Sequence, residues 1–155
     1  MNPEVRELTA EDAQALGEFF LRMPPEDRTF FFQDVNDPAV AEAWASDDRR
    51  LRRCACGDDG RIIAFSALQP GVDWSSHVAE LVLVVAPEAR RQGLGRRLLE
   101  ALEDKARELG YARIRLDTGN RQPHAQAMYE RAGYHPIENY NGNSMASFWG
   151  EKILR

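Results

Sequence analysis

Residues 82–99 read VLVVAPEARRQGLGRRLL. The segment opens with four aliphatic residues, as in a strand that is covered on both faces, and Pro87 ends that run. From Leu94 onward apolar residues recur at helical spacing up to Leu109, and Gly110 supplies the left-handed cap that ends a helix. The stretch therefore predicts a buried strand, a short basic loop and a long amphipathic helix.

The loop has the features of a phosphate site. The first backbone N–H groups of a helix have no partner within the helix, and they carry partial positive charge. Gly93 and Gly95 let a ligand approach the backbone closely. Arg90, Arg91 and Arg96 can add charge-assisted hydrogen bonds to phosphate oxygens. These residue types in this order predict a ligand that carries phosphate.

The same loop allows three other interpretations. A Walker P-loop needs lysine and a hydroxyl residue after its last glycine, and Gly95 is followed by two arginines. A Rossmann fingerprint would use Gly93, Gly95 and Asp117, but Leu98 occupies the place of the third glycine. A solvated arginine face on an amphipathic helix is the third alternative.

The rest of the chain predicts a single α/β domain over residues 1–155. Residues 57–60 (GDDG) tolerate positive φ and predict a hairpin turn. Asp37 before Pro38 is typical of a helix start. Strands are expected at 5–8, 51–56, 61–68, 78–85, 112–117, 134–137 and 145–154, and helices at 9–23, 38–44, 94–109 and 123–132. This alternation indicates a mixed sheet with flanking helices.

Composition excludes several classes of protein. A hydrophobic share of 43% and a charged share of 29% are those of an ordinary globular protein. The net charge of −5 disfavours nucleic acid and anionic membranes as partners. No apolar run approaches the ~18 residues of a membrane span, and the start of the chain has no signal region, so a cytoplasmic protein is expected. Neither the cysteines nor the histidines show metal-ligand spacing, so no metal is expected.

Two motifs in sequence carry a family resemblance. The spacing Arg90-x-x-Gly93-x-Gly95 resembles the Arg/Gln-x-x-Gly-x-Gly/Ala signature of the GNAT superfamily of acyl-CoA N-acyltransferases. Residues 116–120 (LDTGN) and 125–134 (AQAMYERAGY) resemble that family's second half, and 148–154 (FWGEKIL) is similar to its last strand. The resemblance covers residues 79–155 well and residues 1–77 by element order alone.

The resemblance implies a twisted, mostly antiparallel sheet with splayed central parallel strands, and acetyl-CoA as cosubstrate. The pyrophosphate would lie on the loop, and the pantetheine arm would lie along the end of the preceding strand. Gln122 stands where many relatives carry an asparagine, and Asn120 is expected to take its role. The implied cofactor-binding residues are Val84, Val85, Arg90, Arg91, Gln92, Gly93, Leu94, Gly95, Arg96 and Asn120.

The resemblance also implies direct attack of an amine on the thioester. Tyr129 stands at the family's position for the donor to the leaving thiolate, and core packing is the alternative role for its ring. Glu80 is the candidate base, because burial in an apolar strand would raise its pKa. Its spacing to Arg90 is one residue shorter than in many relatives. A slip of one residue reverses the face of a strand side chain unless a bulge absorbs it, so a solvent-facing Glu80 is the alternative.

The acceptor side is the least specified part of the sequence. Residues 30–32 (FFF), Trp74 and Tyr140 could line an apolar pocket or pack in the core. Asp34 or Glu138 could receive a cationic amine. An N-acetyltransferase acting on a small-molecule or peptide amine is expected, and a CoA-binding regulatory domain without turnover is the alternative. A homodimer is left open.

Overall fold

The computed structural model describes residues 3–24, 35–47, 49, 51–71, 76–118, 123–143 and 146–154. Eleven helices and strands follow one another in this part of the chain: β1 (Val5–Glu7), α1 (Ala13–Arg22), α2 (Pro38–Ala45), β2 (Arg52–Cys56), β3 (Ile62–Pro70), β4 (Val78–Val85), α3 (Leu94–Glu108), β5 (Arg113–Thr118), α4 (Pro123–Arg131), β6 (His135–Pro136) and β7 (Phe148–Ile153). Short 3-10 turns precede α1 and α3, at Ala10–Asp12 and Pro87–Ala89. The predicted order of elements is confirmed.

The strands form a mixed sheet in the order β1-β2-β3-β4-β5-β7-β6. The pairs β1–β2, β2–β3, β5–β7 and β6–β7 are antiparallel. In contrast, β4 and β5 run parallel, and Val78–Glu80 pair with Arg113–Arg115. The predicted α/β class with a mostly antiparallel sheet is confirmed. The splay of the two parallel strands beyond these pairs stays a prediction, as does the assignment of residues 1–155 to one domain.

The chain forms two compact units, and the first comprises Met1–Ala67 and Val82–Leu102. Its core receives one face of α1, on which Leu16, Phe19 and Phe20 are all buried. The ring of Phe20 meets that of Phe65 on β3 edge-on, with centroids 5.6 Å apart. This contact packs α1 against β3.

The second unit comprises Leu68–Leu81 and Glu103–Arg155. Its central strand β5 alternates: Ile114, Leu116 and Thr118 are buried, and the residues between them are partly exposed. Gly150 on β7 leaves room for a ring, since a Cβ there would lie 2.7 Å from the ring of Phe148. One face of β5 therefore packs in the core while the other presents charged side chains.

Local signals explain where the helices start and stop. The Asp37 carboxylate accepts a hydrogen bond from Ala39 N at 3.0 Å, as predicted for the start of α2. Gly110 has a φ of 86° just after α3. Before α1, the Asp12 carboxylate accepts from Thr9 N at 2.7 Å and from the guanidinium of Arg6 at 2.8 Å. Those hydrogen bonds, led by that from Arg6, lower the pKa of Asp12 to about 2.

Candidate active site

The basic loop leads into α3 with its backbone in unusual conformations. Gly93 has a φ of 77°, and Arg91, which is not a glycine, has a φ of 65°. A left-handed conformation costs an L-residue about 1–2 kcal/mol, and such strain concentrates at functional sites. The first helical hydrogen bond runs from Arg97 N to Gly93 O at 3.2 Å. The N–H groups of the three residues before Arg97 therefore precede the helical ladder, as an anion site requires.

The side chains of this loop are placed at the surface. Arg90, Arg91, Gln92 and Arg96 are exposed, and Leu94 is buried as the first residue of α3. The guanidinium Nε of Arg90 donates to Val85 O at 3.0 Å, which ties the loop to the end of β4. Arg96 forms an exposed ion pair with Glu100 at 2.8 Å, which contributes little to stability. This exposed turn carries cationic side chains and backbone N–H groups, and such donors fit a pyrophosphate.

Other residues of the expected cofactor site are only partly placed. Val84 is buried and Val85 is half-buried at the end of β4. Gly95 lies within the first turn of α3. Asn120 and Gln122 lie outside the described residues, and so do residues 30–32, Asp34 and Trp74.

Glu80 on β4 belongs to a polar cluster within the second unit. Its Oε1 accepts hydrogen bonds from the Tyr140 hydroxyl at 3.3 Å and from Asn141 Nδ2 at 3.5 Å. Burial raises the pKa of Glu80, and the charge of Asp117 raises it further. The hydrogen bonds from Asn141 and Tyr140 partly oppose this shift. The carboxyl therefore has a higher proton affinity than an ordinary glutamate, as general-base work near neutral pH requires.

Asp117, at the end of β5, gathers the other members of this cluster. Its Oδ2 accepts from Asn141 Nδ2 and, at 3.3 Å, from Asn143 Nδ2. Trp149, its cross-strand partner on β7, donates from Nε1 to Asn141 Oδ1 at 3.0 Å. The segment between β6 and β7 is thus bound to the carboxylates of two neighbouring strands.

Tyr129 lies on α4 with its side chain buried. Its ring meets that of Tyr134 with centroids 5.8 Å apart and planes at 67°. In the part of the chain that the structure describes, its hydroxyl makes no hydrogen bond. Burial raises the pKa of this phenol well above its ordinary value, and Asp117 adds to the shift. The phenol is therefore protonated at neutral pH.

The buried carboxylate of Glu103 holds Tyr134, whose ring packs against Tyr129. The Tyr134 hydroxyl donates to Glu103 Oε2 at 2.9 Å, and Lys152 Nζ donates to the same oxygen at 3.0 Å. Burial and the negative charge of Glu103 raise the pKa of Tyr134, so it stays a donor. Tyr134 is therefore held from its hydroxyl end while its ring supports Tyr129.

A row of charged side chains crosses one face of the sheet. Arg115 lies opposite Glu80 in the register of β4 and β5, and opposite Glu151 in that of β5 and β7. Its Nε donates to Glu151 Oε2 at 2.7 Å, and Arg113 donates to Oε1 at 2.8 Å. Burial alone would raise the pKa of Glu151, but these two arginines outweigh it and lower the pKa. The Arg115 guanidinium also lies over the Tyr140 ring, 5.7 Å from its centroid.

Sequence reasoning named Glu80, Tyr129 and Tyr140 but missed most of their partners. The sequence placed Asp117 in the Rossmann alternative and in the family motif at 116–120, without a role beside Glu80, and it singled out neither Asn141 nor Trp149 as a site residue. The signal available was the polar run 139–143 (NYNGN) between two strands. The structure brings Tyr140 to Glu80, whereas Glu138 is exposed and makes no hydrogen bond with the described residues around Glu80.

The described residues contain no group of three or more His, Cys, Asp or Glu side chains arranged to hold a metal ion. No helix among them is long and apolar enough to cross a membrane.

Comparisons with known proteins agree on one family. The profile of the Acetyltransferase (GNAT) family matches residues 14–134. An uncharacterized N-acetyltransferase of Bacillus subtilis, YhfO, is 27% identical over 136 residues, which cover 84% of this chain and 88% of that protein. The GNAT domain of S. lividans PAT superposes with a TM-score of 0.81 at 20% identity, and the match covers 97% of this chain and 90% of that one. The putative acetyltransferase yncA of Salmonella typhimurium was solved with acetyl-CoA, and it superposes with a TM-score of 0.77 at 17% identity. The match covers 100% of this chain and 95% of that one.

The fold and the profile together define an acetyltransferase-type α/β protein. The chain belongs to the GNAT family of acetyltransferases.

Proposed function

We propose that this protein transfers an acetyl group from acetyl-CoA to the primary amine of a small molecule or peptide, by direct attack in a ternary complex. The observation that carries the proposal is the half-buried Glu80 carboxyl, which lies among Tyr140, Asn141 and Asp117 and whose pKa is raised by burial first and by the charge of Asp117 second. A base with raised proton affinity is what an amine of pKa ~10 needs, because it is mostly protonated at neutral pH.

The loop before α3 is assigned to the cosubstrate. Arg90, Arg91 and Arg96 supply positive charge, and the N–H groups from Leu94 to Arg96 supply donors for the pyrophosphate. Backbone groups of Val84 and Val85, together with Gln92, Leu94 and Asn120, complete the proposed contacts. The buried hydroxyl of Thr118, which has no hydrogen-bond partner among the described residues, supports a polar ligand atom at the end of β5.

Glu80 and Tyr129 are assigned to proton transfer. The amine nitrogen forms a bond to the thioester carbonyl carbon while Glu80 accepts the amine proton, and the C–S bond then breaks to release the thiolate of CoA. Because burial raises the pKa of Tyr129, complete proton transfer to a thiolate of pKa ~8.5 is uphill. We therefore assign to the phenol a hydrogen bond that stabilises the developing thiolate, rather than full protonation.

Amine-dependent thiol release tests this function. Acetyl-CoA is incubated with the protein and a panel of amino acids, polyamines, aminoglycosides and peptides, and free thiol is measured over time. We expect release above the hydrolytic background with at least one class of amine. Binding of acetyl-CoA without amine-dependent release for any class would instead favour a CoA-binding regulatory protein.

A further inference from the structure

Asn141 connects two carboxylates that lie far apart in the sequence. Its Nδ2 donates to Asp117 Oδ2 and lies 3.5 Å from Glu80 Oε1. The two acidic residues stand on neighbouring strands, β5 and β4. A single side-chain amide therefore spans the proposed base and the carboxylate whose charge acts on it.

Two contacts fix the orientation of this amide. The indole N–H of Trp149 donates to Asn141 Oδ1 at 3.0 Å, and an indole nitrogen can only donate. The Nδ2 group must therefore face the carboxylates. The backbone is also fixed, because Asn139 Oδ1 accepts from Asn141 N at 3.2 Å and from Gly142 N at 2.7 Å. The turn places Asn141, and Trp149 sets which end of its amide meets Glu80.

We propose that Asn141 is a positioning residue, which holds the Glu80 carboxylate in the geometry that accepts the proton of the acceptor amine. This inference rests on the proposed role of Glu80 as the base. Asn141 itself touches neither the amine nor the thioester in this proposal. It acts through Glu80 and Asp117, and Trp149 acts through Asn141.

Two of the groups around Glu80 shift its pKa in opposite directions. Asp117 and Arg115 face Glu80 from β5, and the Tyr140 hydroxyl faces it from the segment before β7. Arg115 is paired with Glu151, so the negative charge of Asp117 is the larger influence on Glu80. Asp117 raises the pKa of Glu80, whereas the hydrogen bond from Asn141 lowers it. Removing Asp117's charge and removing Asn141's amide must therefore move the titration of Glu80 in opposite directions.

Carboxyl NMR of the full chain measures this without any acceptor. Protein labelled with 13C at the glutamate carboxyls is titrated, and the Glu80 signal is assigned by its loss in Glu80→Gln. We expect the Glu80 midpoint to rise in Asn141→Ala and to fall in Asp117→Asn, relative to the wild type. Trp149→Phe removes the donor that orients the amide, and we expect a smaller rise.

Glu138→Gln is the matched control, because it removes an exposed charge from the same segment. Its Glu80 midpoint should equal that of the wild type. Circular dichroism and the thermal transition show whether Asn141→Ala folds. If it does not fold, the Glu80 midpoint should still rise in Trp149→Phe and fall in Asp117→Asn. Unchanged midpoints in Asn141→Ala and Trp149→Phe, or a fall in either, would overturn the proposal.

The pH profile of kcat/KM provides the second readout once an acceptor amine is found. The acidic limb should move with the Glu80 midpoint in each variant, whereas a merely structural role would lower activity at every pH without moving that limb. Normal turnover in Glu80→Gln would refute the base role itself. The NMR titrations would still report whether Asn141 holds Glu80, so the two failures are distinguishable.

Discussion

Asp117 is close enough to influence both side chains that we assign to proton transfer. Its charge raises the pKa of Glu80 and that of Tyr129, in each case after burial as the first cause. The same residue holds Asn141 and Asn143 by hydrogen bonds to one oxygen. For Glu80 the raised pKa favours proton acceptance. For Tyr129 it opposes proton donation, which is why a hydrogen-bonding role fits this residue better.

The pH dependence of a Glu80 variant follows from these shifts. Glu80 must be ionised to act as a base, and its pKa is raised, so wild-type activity should rise with pH through a range above that of an ordinary glutamate. Glu80→Gln removes the base, and we expect turnover at neutral pH to fall by about 10²–10⁴-fold. Activity should recover at high pH, where the amine is already unprotonated. A loss below about threefold at pH 7 would instead favour a water relay or a bystander role.

Tyr129→Phe separates a hydroxyl role from a packing role. The ring and its contact with Tyr134 are kept, and only the hydroxyl is removed. We expect turnover to fall at least about tenfold while the acetyl-CoA affinity, measured by calorimetry, and the thermal stability change little. Near-normal turnover would refute the role of the phenol in thiolate stabilisation.

Tyr134→Phe is the matched control for that experiment. It keeps the ring that supports Tyr129 but removes the hydrogen bond to Glu103, which retains Lys152 as a partner. The variant should lose about 1 kcal/mol of unfolding free energy. Its turnover should stay near that of the wild type.

At the scale of elements, the start of α3 combines strain with exposure. A left-handed Arg91 is costly, and two residues later Gly93 is left-handed as well. Ordinary helix starts need neither. The arrangement is explained if these turns aim N–H groups and arginines at an anion, so that ligand binding offsets the local strain.

A pair of glycine variants tests that explanation. Gly93 and Gly60 have φ values of 77° and 82°, and a Cβ at either would meet no atom within 4 Å. An alanine at each position therefore carries similar backbone strain, about 1–2 kcal/mol. We expect both variants to lose similar stability, while only Gly93→Ala weakens acetyl-CoA binding in calorimetry. Equal affinities in the two variants would remove the loop from the cosubstrate site.

Across the whole molecule, the local signals in the sequence were sufficient to predict the order of elements. The aliphatic run of β4, the turn at 57–60 and the cap at Gly110 each depend on neighbouring residues, and the structure confirms all three. The cluster around Glu80 depends instead on strand register. Asn141 lies 61 residues from Glu80 and 24 from Asp117 in the sequence. No local periodicity encodes such contacts, so only the fold could reveal them.

The cosubstrate side of the proposed site was easier to predict from the sequence than the acceptor side. The loop motif at Arg90 could be recognised because phosphate binding needs glycines and arginines at close spacing. Amine recognition has no such fixed pattern, since carboxylates and aromatic rings from any strand can provide it. Apart from Tyr140, the residues that surround Glu80 therefore have no signal in the sequence that assigns them to the site.

Transfer of labelled acetyl groups tests the central claim most directly. Acetyl-CoA carrying 13C in its acetyl group is incubated with the protein and the amine that gives the largest thiol release, and the products are analysed by NMR and mass spectrometry. Our account predicts the label in an amide bond to the nitrogen of the acceptor, formed in step with free CoA and strongly reduced in Glu80→Gln at neutral pH. Label found only in free acetate, or remaining on CoA for every amine, would contradict it.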